Sequence, residues 1–85
     1  MGPAKIVMYI ENWCPYCLRA RDLLADKGAA VEEIDVAAVP GAREEMFARS
    51  GRRTVPQIFI GDRHIGGCDD LAALDAAGGL NPLLK

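Results

Sequence analysis

Three cysteines, one histidine and one tryptophan are all that this 85-residue chain carries of the residues that form disulfides, hold metals or anchor large aromatic cores. An odd number of cysteines cannot complete a disulfide framework, so a hydrophobic core has to hold the fold. Long apolar runs are missing as well. The stretch from Ile6 to Ile10 falls far short of the ~20 residues of a membrane span and is too short for the apolar part of a secretion signal. Nor does charge of one sign accumulate: 10 Lys and Arg stand against 12 Asp and Glu, a net charge of −2. With the arginines scattered singly or in pairs, that balance excludes a surface built to gather the phosphates of nucleic acid or of an anionic membrane. Gly2 lacks the Ser or Thr at position 6 that N-myristoylation requires, because Ile6 stands there. A soluble, cytoplasmic protein is expected.

What is present fits a small globular domain. Hydrophobic residues make up 51% and charged residues 26% of the chain, an ordinary balance for a protein that folds alone. A chain of this length supports one domain, residues 1–85, which buries roughly 60–65% of the surface its unfolded form exposes. There is no repeat, low-complexity tract or linker. Lys5 to Ile10 reads as a buried strand. Pro15 to Lys27 reads as a helix with Leu18, Ala20, Leu23, Leu24 and Ala25 toward the core, and Gly28 as its stop. Val31 to Val36 forms a second strand, and Pro40 opens a helix over Ala42 to Arg49 with Met46 and Phe47 inward and Gly51 closing it. Gln57 to Ile60 and His64 to Ile65, joined by Gly61-Asp62-Arg63, read as a hairpin. A last helix begins near Asp69 and fades at Gly78-Gly79. A right-handed strand–helix–strand crossover followed by a hairpin predicts an α/β, thioredoxin-like fold: a mixed four-stranded sheet in the order β-α-β-α-β-β-α, flanked by three helices.

The Cys14-Pro15-Tyr16-Cys17 segment falls where the first strand meets the first helix. Pro15 fits the first helical position, where its missing N–H costs nothing, and the N–H groups of Tyr16 and Cys17 are left to face the Cys14 sulfur. An unperturbed thiol, with pKa about 8.5, is only slightly ionised at pH 7; a helix N-terminus favours the thiolate, which is the form that attacks disulfides. Cys14 is the expected nucleophile. Cys17, one helical turn on, can close onto it and is the expected resolving thiol. A structural zinc site built from Cys14, Cys17, His64 and Cys68 is the competing reading, but 46 residues of strand and helix separate the two pairs where such sites use short loops. No metal is expected, and His64 reads as a partly exposed strand residue.

Two further segments stand out. In Thr54-Val55-Pro56 the proline pushes Val55 toward extended geometry and cannot donate to a ladder. The tripeptide alone favours an ordinary edge proline, whereas a cis Val55-Pro56 bond would leave the Val55 main chain exposed beside Cys14 to pair with an extended ligand. In Gly66-Gly67-Cys68-Asp69-Asp70, glycines that allow close backbone approach run into a helix start that suits a carboxylate. Asp69 and Asp70 read either as helix caps or as partners for an ammonium group, and Cys68 reads locally as a small buried residue.

Together, in this order and spacing over nearly the whole chain, Cys14-Pro15-Tyr16-Cys17, Thr54-Val55-Pro56 and Gly66-Gly67-Cys68-Asp69-Asp70 closely resemble the dithiol glutaredoxins, the bacterial kind in particular. Thioredoxins typically carry Gly-Pro between the cysteines and lack the Gly-Gly-Cys-Asp-Asp segment. The resemblance favours the cis form of Val55-Pro56. It implies a glutathione-dependent thiol–disulfide oxidoreductase that reduces glutathione mixed disulfides and protein disulfides, with ribonucleotide reductase a possible client, recycled by glutathione reductase and NADPH and working as a monomer. It further implies that Tyr16, Arg52, Thr54, Val55, Pro56, Gly67, Cys68, Asp69 and Asp70 bind glutathione: Tyr16 as a wall, the Val55 main chain along the tripeptide, and Cys68 to Asp70 at its γ-glutamyl end. One position departs from the family. A lysine is common three residues before the first cysteine, at the glycine carboxylate of glutathione, and here Glu11 reverses the charge; the expectation is that Arg52 or Arg53 takes that carboxylate instead, or that glutathione binds more weakly. Trp13 stands where smaller residues are usual and reads as an amphipathic surface aromatic. Some glutaredoxins carry an iron–sulfur cluster between two subunits, but in the family that role goes mostly with residues other than Pro15 after the first cysteine.

Overall fold

The computed structural model describes residues 5–84. Its elements are β1 (Ile6–Ile10), α1 (Pro15–Asp26), β2 (Val31–Asp35), α2 (Ala42–Ser50), β3 (Gln57–Ile60), β4 (Arg63–Gly66), α3 (Cys68–Ala76) and α4 (Leu80–Leu83). The sheet order is β2-β1-β3-β4, with β1 parallel to β2 and antiparallel to β3, and β3 antiparallel to β4. This is the mixed four-stranded sheet expected from the sequence. The short α4 is an addition: Gly78-Gly79 ends α3, and the chain turns once more to bury Leu80.

Strand alternation sorts the core into two layers. Ile6, Met8 and Ile10 of β1 and Ile58 and Ile60 of β3 face α1, α3 and α4, where they meet Cys17, Ala20, Leu24, Leu71 and Leu80. Tyr9 and Phe59, on the opposite face, pack with Val36, Ala42 and Met46 of the α2 side. Tyr9 is wholly buried and takes a hydrogen bond on its hydroxyl from Arg49 Nη1 at 2.9 Å, so its polar tip is satisfied. The α1 helix stops where Lys27 and Gly28 turn back onto the carbonyls of Leu24 and Ala25, with Gly28 at φ +72°, a conformation that favours glycine.

Helix faces are narrower than the sequence suggested. The buried stripe of α1 is Cys17, Ala20 and Leu24; Leu18 and Ala25, each about 100° around the axis from a buried neighbour, are exposed, and Leu23 sits at the edge of the core. In α2 the pair Ala42 and Met46 turns inward, which leaves Phe47 outside under the guanidinium of Arg53, 4.1 Å from its ring centroid. Two central strands need only one narrow stripe from each covering helix, because neighbouring helices cover the rest.

Candidate active site

Cys14 is the N-cap of α1, with extended backbone at φ −75° and ψ 116°, and Pro15 takes the first helical position. This geometry turns the sulfur toward the open N–H groups of the first turn, and the Cys17 N–H donates to Cys14 Sγ at 3.4 Å. The approach loop is closed by the Cys14 N–H donating to the Glu11 carbonyl at 3.3 Å. Both cysteines are free thiols. Cys14 keeps 6% of its surface and Cys17 1%, so the first is the more accessible of two buried cysteines. Burial pushes the Cys17 thiol up to about 12, against an opposing pull from the Glu11 main chain and with a further rise from neighbouring Cys14. Cys17 is thus held as the protonated thiol.

Across from the thiol, the Val55-Pro56 bond is cis, and the Val55 carbonyl oxygen lies 3.9 Å from Cys14 Sγ. The β3 ladder begins only at Gln57, leaving Val55 outside the sheet pairing. A shallow groove of about 220 Å³ adjoins this point, lined by Tyr16, Arg52, Thr54, Val55, Pro56, Gly67, Cys68, Asp69 and Asp70. All nine residues that the family resemblance implies as a binding set therefore share one surface. A larger cavity of about 530 Å³, between the β1–β2 edge and the C-terminal helix, is lined by Lys5, Lys27, Gly28 and Leu84 among others and carries no cysteine.

The far wall of the groove is the start of α3. The Asp70 carboxylate reaches back to accept the Gly67 N–H at 2.9 Å and the Arg52 Nη1 at 2.8 Å. The Arg52 guanidinium first, and then the Gly67 N–H, hold the Asp70 carboxyl below the usual carboxylate range. Gly66, at φ +117°, admits no side chain: a Cβ there would sit 2.3 Å from Asp70 Oδ2. Burial raises the Cys68 thiol, and the charge of Asp69 adds to the rise.

The two arginines proposed as substitutes for the missing lysine part company. Arg52 lines the groove, while Arg53 turns away to Phe47. Glu11 is not among the residues that line the groove, and its carboxylate is paired with Arg43 Nη2 of α2 at 2.8 Å. Sequence reasoning missed Arg43, since a contact across 32 positions leaves no local signal. Trp13 is 78% exposed beside Cys14. His64 is half-buried against Phe59 and bonded to Gln57, and among the described residues no group of three or more His, Cys, Asp or Glu is placed to hold a metal.

A capped, helix-terminal Cys-Pro-Tyr-Cys facing a cis-proline loop on a mixed four-stranded sheet defines a thiol–disulfide oxidoreductase of the thioredoxin-like fold. The Glutaredoxin family profile matches residues 6–65. Glutaredoxin 3 of Escherichia coli K12 is 57% identical over 82 residues, covering 96% of this chain and 99% of its own. The solution structure of a Brucella melitensis glutaredoxin superposes with a TM-score of 0.86 at 54% identity, covering 100% of this chain and 92% of that one. A buckwheat glutaredoxin–glutathione complex superposes at 0.88 with 32% identity, over 95% of this chain and 76% of that one. The chain belongs to the glutaredoxin family, oxidoreductases that use glutathione as reductant.

Proposed function

We propose that the groove beside Cys14 holds the glutathione half of a mixed disulfide. The observation that carries this reading is the Cys14 sulfur, capped by the Cys17 N–H at 3.4 Å, at one end of a groove whose other end is the α3 N-terminus. Extended main chain at Val55, free of the β ladder, suits backbone pairing with a tripeptide. Tyr16 walls the groove. The start of α3, with Asp69 and Asp70, suits the paired charges of the γ-glutamyl end, and Arg52, bonded to Asp70 at 2.8 Å, adds a cation to the same groove.

In this reading the Cys14 thiolate attacks the glutathione sulfur, the S–S bond to the client breaks, and the client leaves as a thiolate that takes a proton from solvent. A second glutathione thiolate then attacks the glutathione sulfur of the Cys14 mixed disulfide, releasing glutathione disulfide and restoring the Cys14 thiolate. With a protein disulfide as client, Cys14 attacks one of its sulfurs and the other leaves as a thiolate; Cys17, once its proton is lost, attacks Cys14 Sγ, which releases the reduced client and forms a Cys14–Cys17 disulfide that two glutathiones then reduce, giving glutathione disulfide. Ribonucleotide reductase is a client of fitting chemistry. Glutathione reductase with NADPH returns the oxidised glutathione, and the protein acts as a cytoplasmic monomer. Turnover of a glutathione mixed disulfide, coupled to NADPH through glutathione reductase, tests the reading in wild type, Cys14→Ser and Cys17→Ser. Activity lost in the first variant and kept in the second is expected; a wild type without turnover overturns it.

A further inference from the structure

We infer that Gln57 and His64 are positioning residues for the Thr54–Val55 main chain, a role that deepens the glutathione-groove reading and rests on it. Gln57 is the one buried amide or charged side chain among the described residues, with no exposed surface. An amide in that position is costly unless all its groups are bonded. Its Nε2 donates to the Thr54 carbonyl at 3.0 Å and to Thr54 Oγ1 at 3.2 Å, and its Oε1 lies 2.8 Å from His64 Nε2. A carbonyl oxygen only accepts, so the amide nitrogen must face Thr54, Oε1 must face β4, and His64 Nε2 must carry the hydrogen. The imidazole is held in turn by the Phe59 ring, 4.9 Å between centroids and tilted by 31°, whose ring lies 4.1 Å from the Arg49 guanidinium.

The arrangement answers a mechanical need. Thr54, Val55 and Pro56 precede β3, so no ladder hydrogen bond fixes the segment whose Val55 carbonyl stands 3.9 Å from Cys14 Sγ. The side chain of Gln57 supplies, through the core, the restraint that a neighbouring strand would supply elsewhere. A segment that reads a ligand by its main chain loses affinity when it drifts by a fraction of an ångström, whereas the thiol chemistry at α1 is unchanged. The expected signature is therefore a change in KM without a change in kcat.

Steady-state turnover of a glutathione mixed disulfide by wild type, Gln57→Leu, His64→Phe and His64→Gln tests this. Gln57→Leu is expected to raise KM for the mixed disulfide roughly tenfold with kcat within about twofold. His64→Phe keeps the stack on Phe59 but loses the donor, and is expected to raise KM roughly threefold to fivefold; His64→Gln, whose amide can donate again, returns KM to within about twofold of wild type. Unchanged KM in Gln57→Leu and His64→Phe, kcat falling in step with the rise in KM, or His64→Gln as impaired as His64→Phe would overturn the inference. If Gln57→Leu fails to fold, the two His64 variants decide alone. A wild type without turnover overturns the groove reading and this inference with it, while an active wild type with unaffected variants overturns this inference only.

Discussion

Two helices of this protein start with a cysteine at the same groove, yet only one of those cysteines is equipped to attack. At α1 the cysteine is the N-cap itself: Cys14 has extended backbone, and its sulfur receives the Cys17 N–H. At α3 the N-cap is Gly67, and Cys68 is the first helical residue. There Asp69 and Asp70 occupy the first turn, the Asp70 carboxylate takes the Gly67 N–H, and the Cys68 thiol is raised by burial and by Asp69. A shift of one residue relative to the helix start, plus two carboxylates, separates a nucleophile from a bystander. The positive end of α1 is left for sulfur; that of α3 already has its anion.

Substitution of each cysteine should break the comparison if it is wrong. Cys14→Ser is expected to lower mixed-disulfide turnover at least ~1000-fold, because the nucleophile is gone, whereas Cys68→Ser should stay within about twofold; equal losses in the coupled assay would put both sulfurs in the reaction. Next in size is labelling selectivity. With iodoacetamide at pH 7, Cys14 should be alkylated roughly 100-fold faster than Cys17, and faster than Cys68, read by peptide mass, because the thiolate is the reacting form and the other two thiols are raised. Cys17→Ser is expected to keep mixed-disulfide turnover within about fivefold while losing reduction of a protein disulfide, since only the second route needs a resolving thiol.

The carboxylate side of the comparison gives a smaller effect. Asp70→Asn should destabilise the fold by about 0.5–1 kcal/mol at pH 7 through a weaker cap and a lost pair with Arg52. The folded-state carboxyl of Asp70 is depressed, so its stabilisation is complete above the unfolded value of about 4 and is lost as pH falls through the lower folded value. Thermal melts should therefore show the gap between wild type and Asp70→Asn closing below about pH 4; a gap that widens there has the wrong sign. The smallest change is expected at Glu11. Because Arg43 already neutralises it, Glu11→Lys should lower the KM for glutathione by about twofold to threefold and alter stability by less than about 1 kcal/mol.

Much of the site could be read before any coordinates, because its chemistry is local. Pro15 after Cys14 marks a helix start, and Gly66-Gly67 before two aspartates marks another. Two readings went wrong for a common reason. Leu18 and Phe47 are apolar residues beside the true core stripe, and composition cannot say how wide a stripe the neighbouring elements leave to be filled. The tripeptide Thr54-Val55-Pro56 by itself favoured an ordinary proline, and only the resemblance to a family pointed to the cis bond that the structure contains.

The sequence by itself determined the element order, through its alternating strands and its Gly and Pro punctuation, and it placed Cys14 at a helix N-terminus, because both depend on residues within a turn of one another. Tertiary structure alone decided what that thiol faces. Glu11 meets Arg43 across 32 positions, Arg52 meets Asp70 across 18, and Gln57 ties Thr54 to His64 through the core. Arg52 and Arg53, adjacent in the chain, end on different surfaces. Such contacts follow from how the sheet and helices pack, and a side chain's direction is set by that packing and not by its distance along the chain.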